Sequence, residues 1–227
     1  YHQFCPVAMA AEILCTRWTV VLLRELLAGN SRFNGLRRGL PRISPALLSQ
    51  RLKELESAGI VERRPIAGEP GAFEYHLTPA GQELGPLVET FGRWGQRWVS
   101  SELSLKRLDA TLLVWDMHRN LRLEPAPTNR QVVKIAFVDA PPHEKHFWLV
   151  ATPDHCVDFC KVDPGHDVDL YVHAELSALT AIWMGLKPFA EAVEEERVRL
   201  TGERALVSAF PRWLKLSPFA GEERMVA

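Results

Sequence analysis

Cysteine is scarce in this chain. Four in 227 residues are too few to staple a small secreted scaffold, so the fold must rest on its own core. No stretch is both long and apolar enough to cross a bilayer, which takes roughly 20 residues, and no leader pattern opens the sequence. A reducing cytoplasm and no membrane association are therefore expected. Internal repeats, low-complexity tracts and a glycine-rich phosphate loop are all missing. His143, His146, His155, His166 and His173 are scattered over turns and strand ends, and neither a nucleophile-base pair nor paired carboxylates stand at a useful spacing. Cys156 and Cys160 are the nearest approach to a metal motif. On a strand they would stand about 13 Å apart with Asp158 between them, too far for one zinc, and buried thiols are the expectation. These absences set the expectation of a protein that is not an enzyme and that holds neither metal nor cofactor.

What the chain does have is an uneven charge. Residues 1 to 98 carry 12 Lys and Arg against 9 Asp and Glu, and residues 99 to 227 carry 15 against 19. Residues 17 to 64 alone hold 10 basic against 4 acidic side chains, a basic module within a nearly neutral protein. That pattern suits an anionic partner at one site and a different task elsewhere. Two domains are expected, 1–100 and 101–227.

Turn chemistry and periodicity sort the first domain into four helices, a hairpin and a further helix. Helices are expected over Pro6 to Leu14, from an N-cap at Thr16 to a stop at Gly29, and from Ser31 to Pro41. Ser44 and Pro45 then supply the cap and first-turn proline of a fourth helix. "IVERRP" and "FEYHLT" alternate as two strands around the turn-rich "IAGEPGA". Thr78 and Pro79 start a last helix with Leu84, Leu87, Val88, Phe91, Trp94 and Trp98 on one stripe.

The fourth helix carries the functional signal. On a helical wheel Leu48, Leu52 and Leu55 share one face, with Leu47, Arg51 and Ala58 on its shoulder. Ala46, Ser49, Gln50, Lys53, Glu54 and Ser57 point away. A polar face alone marks only a solvated helix. Two helices and a tight connection before it, and an arginine-bearing hairpin after it, make it a helix-turn-helix followed by a β-wing. In that setting Ser44, Pro45, Ala46, Ser49, Gln50, Arg51 and Lys53 would meet the major groove and its phosphates, and Arg63 and Arg64 the flanking backbone. The helix N-terminus adds amide groups that favour a phosphate.

The Cys5-Pro6 start, the Trp18-Thr19 pair, the "RF..LRR.LP.ISP..L..RL.EL...G" core and the "EY.LT..G" closing strand resemble the HxlR-type winged-helix transcription regulators across nearly all of residues 4 to 98. The resemblance implies a DNA-binding homodimer whose first and last helices pair two protomers. The stripe from Leu84 to Trp98 would then be that interface, or else a core face. It also puts Cys5 at the position that serves some members as a redox sensor, with Arg17 able to stabilise a thiolate; a buried, inert thiol is the alternative. The sequence departs from the pattern at the wing, where Ala72 and Phe73 precede "EY" in place of an arginine.

The second domain reads as one helix over roughly Leu105 to Leu121, four strands in "QVVKIAFV", "KHFWLVAT", "HCVDFCKV" and "VDLYVHA", two helices, the strand "RVRLTG" and a last helix from Arg204. Short connections make the strands most simply antiparallel, so the whole chain is α+β, its second half an antiparallel sheet with helices on one face. "FWLVATPDHCVDFCKVDPGHDVDLYVHAELSALTAIWMGLKPFAEAVEEERVRLTGERALVSAFPRWLKLSPFAG" resembles a sterol-carrier-protein-like domain, which implies an apolar tunnel. Trp148, Phe159, Trp183, Met184, Phe189, Phe210 and Trp213 are the large side chains expected beside it, or else filling a solid core. The resulting expectation is a cytoplasmic transcriptional regulator of repressor type, controlled by an apolar small ligand. The alternative is a lipid carrier whose winged helix contacts proteins.

Overall fold

A computed structural model describes residues 3–100, 105, 108–124, 126–154 and 156–226. The chain divides into two compact units, Tyr1–Arg93 and Trp94–Ala227.

The first unit runs α1 (Pro6–Leu14), α2 (Thr19–Leu27), α3 (Phe33–Gly39), α4 (Pro45–Ser57), the hairpin β1 (Val61–Pro65) and β2 (Phe73–Leu77), and α5 (Pro79–Gln82). Its core is almost wholly aliphatic. Leu22, Leu23 and Leu26 of α2, Leu36 of α3, and Leu48, Leu52 and Leu55 of α4 are buried together with Ile43, Ile60 and Val61. The hairpin is antiparallel, with Arg63 opposite Tyr75 and Arg64 opposite Glu74. A bridge between Arg32 and Glu74 adds the segment before α3 as a third short edge, and the Tyr75 amide donates to the Ser31 carbonyl at 2.8 Å.

Two expected boundaries shift. Thr16 does not cap α2: the helix begins at Thr19, with Trp18 in the left-handed region at φ 80°. The half-buried Trp18 packs against the leucine core, and that packing outranks the local cap preference. The helix expected from Pro79 is broken, α5 giving way to α6 (Gly85–Trp98). Gly81 makes the close approach possible, since a Cβ there would fall 2.2 Å from the Ile60 carbonyl oxygen.

One charge lies at the centre of the first unit. Glu25 has no exposed surface. Arg24 donates to its Oε1 at 2.6 and 3.0 Å, and Asn30 donates to its Oε2 at 2.7 Å. The carboxylate occupies the space where Gly39 of α3 has no side chain, so it fixes how α2 and α3 meet.

The second unit holds α7 (Ala110–Asn120), β3 (Gln131–Phe137), β4 (His146–Ala151), β5 (Val157–Cys160), β6 (Leu170–Ala174), α8 (Leu176–Trp183), α9 (Phe189–Glu194), β7 (Val198–Gly202) and α10 (Arg204–Trp213). Of the helix expected over roughly Leu105 to Leu121, residues 106–107 lie outside the described residues, and α7 itself begins at Ala110 behind an Asp109 cap. The sheet order is β5-β4-β3-β6-β7. The sheet is not wholly antiparallel as expected: β3 and β6 are parallel, Val133 pairing with Leu170 and Phe137 with Ala174. A parallel pair needs a long crossover, and here β4 and β5 are themselves the crossover, so short connections gave no hint of it. Asp169 pins the join, its Oδ2 accepting from the Val132 amide at 2.8 Å while its own amide donates to the Val132 carbonyl at 3.0 Å.

Alternation decides the two sheet faces. Val133, Ile135, Phe137, Phe147, Leu149 and Val172 point into a large core with α7, α8 and α10. Val132, Trp148 and Val150 form a smaller cluster on the opposite face.

Candidate nucleic-acid interface

Helix α4 is built as its sequence suggests. Ser44 Oγ accepts from the Leu47 amide at 3.2 Å, Pro45 occupies the first turn, and no acidic residue stands in that turn to offset the positive end of the helix. Leu48, Leu52 and Leu55 are at most 1% exposed, anchoring the inner face. On the outer face Ser44, Pro45, Ala46, Ser49, Gln50 and Lys53 are all exposed. Ala46, Ser49, Gln50, Lys53 and Ser57 line one shallow depression along the helix. Lys53 makes no ion pair among the described residues, whereas Gln50 donates to Glu54 at 2.9 Å.

The three sequence-predicted arginines are engaged as well. Arg51 is turned back into the protein: its Nε donates to the Arg17 carbonyl at 3.0 Å and a second guanidinium nitrogen pairs with Glu54 at 2.5 Å. That guanidinium, and secondarily Gln50, hold the Glu54 carboxyl below the usual carboxylate range. Arg51 thus ties α4 to the turn before α2. On the wing, Arg63 lies over the Phe73 ring at 3.5 Å, and Arg64 pairs with Glu62. Both remain exposed, and an exposed pair of this kind is exchanged for a phosphate at little cost.

Other cations surround the helix start. Arg37 and Arg38 close α3, Arg42 stands two residues ahead of the Ser44 cap, and all three are exposed. The signal for them was the basic excess of residues 17 to 64, which gave no positions. Arg32 has a different role. It pairs with Glu69 at 2.9 Å and with Glu74 at 3.7 Å, bracing the wing against the segment before α3, and these carboxylates raise its pKa.

The apolar stripe of α6 splits in two. Leu84 and Val88 pack on the core of the first unit. Leu87, Phe91, Trp94 and Trp98 are 47 to 60% exposed, and Phe4, Val7, Met9 and Ile13 in and beside α1 are exposed as well. No single helix is long and apolar enough to cross a membrane; α1 and α2 pass that test only as a pair bent by 81°.

Cys5 is exposed, so the alternative of a buried thiol does not hold. The amides of Ala8 and then Val7, at the start of α1, hold its pKa below the ordinary thiol value. Arg17 is not the cause; its guanidinium lies 5.5 Å from the Trp18 ring centre. Cys156 is exposed too, against expectation, because it lies just ahead of β5, the edge strand, rather than within the sheet, and Cys160 is half-buried. His155 lies outside the described residues. Among the described residues no group of three or more His, Cys, Asp or Glu side chains is placed to hold a metal.

The seven large side chains expected around a tunnel do not share one wall. Trp183, Phe210 and Trp213 are buried in the main core of the second unit, with Phe159, Met184 and Phe189 packed around them. Trp148 lies on the other face of the sheet, beside Val132 and Val150 and beneath Lys134, whose ammonium is 5.0 Å from its ring.

The fold and site of the first unit define a winged helix-turn-helix domain. The HxlR-like helix-turn-helix family matches residues 13–103. An uncharacterized HTH-type transcriptional regulator of Bacillus subtilis, YvaP, is 38% identical over 98 residues, 43% of this chain and 91% of that protein. A second, sll1512 of Synechocystis, is 34% identical over 100 residues, 44% of this chain and 74% of that one. Among solved structures, a redox regulator HypR in its reduced form is 35% identical with a TM-score of 0.38, covering 40% of this chain and 90% of its own. The chain belongs to the HxlR-like helix-turn-helix family.

Proposed function

We propose that this transcriptional regulator binds duplex DNA as a homodimer, laying the outer face of α4 in the major groove. The observation that carries the reading is the contrast between the two sides of α4. Its leucines are fully buried, while Ser49, Gln50 and Lys53 stand exposed in line with an uncompensated helix N-terminus. Ser49 and Gln50 have the groups to read base edges, and Lys53, Arg37 and Arg42 the charge to hold phosphates. Arg51 drops out of the contact set as a structural tether. Arg63 and Arg64 belong to the wing's contact with flanking backbone, with Ala72 and Phe73 leaving the wing tip little to add.

The exposed faces of α1 and α6 supply the self-association surface. A two-fold pair would present two α4 helices to half-sites about 34 Å apart. The second unit, a sheet with helices on one face, fits a sterol-carrier-like domain through which an apolar small molecule controls a cytoplasmic repressor.

The test is a salt titration of duplex binding. Lys53→Ala should weaken binding to every duplex alike and lower the slope of log affinity against log salt by about one. A changed preference at a single base pair would overturn the phosphate assignment.

A further inference from the structure

Helices α7, α8 and α10 bury their apolar residues on one face of the second unit's sheet, and alternation sends the remaining side chains of each strand to the other. On that open face Ala136 of β3 stands opposite His146 of β4 on one side and His173 of β6 on the other, and His173 stands opposite Arg199 of β7. All four side chains therefore leave the sheet together. Two residues back on β3, Lys134 faces Tyr171 in the next row. Alanine is the smallest side chain of its row, so a methyl floor lies between two imidazoles whose strands are about 10 Å apart. That hollow has the width of a phosphoryl group.

The groups around it are uncommitted. Lys134 and Arg199 pair with no carboxylate among the described residues, and neither imidazole makes a hydrogen bond there. The Lys134 ammonium rests 5.0 Å from the centre of the Trp148 ring, which itself lies 6.3 Å from the His146 ring, while His173 stacks on Tyr171. Carboxylates on this face are distant or occupied. Asp158, opposite Val150, and Asp169 each stand four residues along their row from a histidine, about 13 Å, and Glu175 is paired with Arg197. That leaves Glu196, at the turn before β7, against Lys134, Lys145 and Arg199, a surplus of two positive charges. His146 feels this surplus: its pKa is lowered first by burial and then by Lys134, Lys145 and His173. Two surplus charges with imidazole donors suit a dianion that carries several acceptor oxygens, as a phosphate monoester does near neutral pH.

We propose that the open sheet face binds the phosphoryl head of a phosphate monoester in the hollow over Ala136, between His146 and His173, with Lys134 and Arg199 meeting its charge. The site lies on the face away from the main core, so it goes beyond the apolar-effector reading and stands or falls independently of it.

Monomethyl phosphate and dimethyl phosphate, titrated into the full-length protein and followed through the histidine ring resonances, test it. Monomethyl phosphate should shift the His146 and His173 signals along one saturating curve and leave His118, held against the Trp115 carbonyl, in place. Dimethyl phosphate, a monoanion with the chemistry of a nucleic-acid backbone, should bind about tenfold more weakly, as should monomethyl phosphate to Arg199→Gln. Ala136→Leu keeps every charge and fills the hollow, and should abolish binding. Arg199 is exposed, so its variant should remain folded by circular dichroism whatever the fate of Ala136→Leu. Equal binding of the diester would assign the face to a nucleic-acid backbone instead. Full binding by a folded Ala136→Leu would reduce the cations to diffuse surface charge. Either result, an unaffected Arg199→Gln, or no shift of the two rings would overturn the site.

Discussion

Phe91→Asp should convert the protein to a monomer and weaken its binding to a two-half-site duplex at least a hundredfold. Phe91 and Trp94 are 58% and 60% exposed on α6, with Leu87 and Trp98 along the same stripe. In a homodimer these rings would form the centre of the interface, where large aromatic side chains contribute about 2 kcal/mol or more each. A carboxylate placed there must also be desolvated, which adds several kcal/mol. The folded chain should tolerate the change, since Phe91 is absent from the core that Val88 of the same helix and Leu84 just ahead of it join. Sedimentation equilibrium with and without the duplex reads both effects. A variant that stays dimeric would move the self-association surface elsewhere, with the exposed residues of α1 next to be tested.

Gly39→Ala should destabilise the first unit by about 3–5 kcal/mol, the cost of disrupting a buried charge from its partners. An added Cβ would fall 1.9 Å from Glu25 Oε2 and 2.2 Å from its Cδ. A carboxylate at the end of a flexible side chain would ordinarily swing aside. Glu25 cannot do so without giving up Arg24 and Asn30 in a place that water does not reach. Hydrogen exchange of the α2 and α3 amides, rather than a single unfolding midpoint, is the proper readout in a chain of two units. The mechanism has an internal check: Glu25→Ala alone should also be costly, but the double variant should cost clearly less than the two singles combined, because the added methyl then fills the vacated space. Additive losses would mean that Gly39 is needed for its backbone and not for the carboxylate beside it.

Local chemistry was readable in the sequence; partnership across the fold was not. The Ser44-Pro45 cap, the leucine spacing of α4 and the wing strands are short-range patterns, and each appears where it was expected. The position of Arg51 on the shoulder of α4 could not reveal that its guanidinium turns back to the Arg17 carbonyl, 34 residues away. Nothing local marks Glu25 as buried; its place depends on a glycine of another helix. In the second unit, alternation assigned the strands but could not say on which side of β3 the chain would return, and so missed the parallel pair. Trp148 was grouped with residues now on the opposite face of the sheet, because aromatic character does not encode which side of a strand meets which helices.

Base readout by the outer face of α4 should be visible in the sequences the protein selects. Equilibrium selection from randomised duplexes, carried out in parallel with the natural protein and Gln50→Ala, tests it most directly. Selection by the natural protein should return two half-sites about 34 Å apart centre to centre. Gln50→Ala should relax preference at one base pair within each half-site, by about 1–3 kcal/mol, and leave the others intact. An identical preference from both proteins would contradict base readout by this helix face.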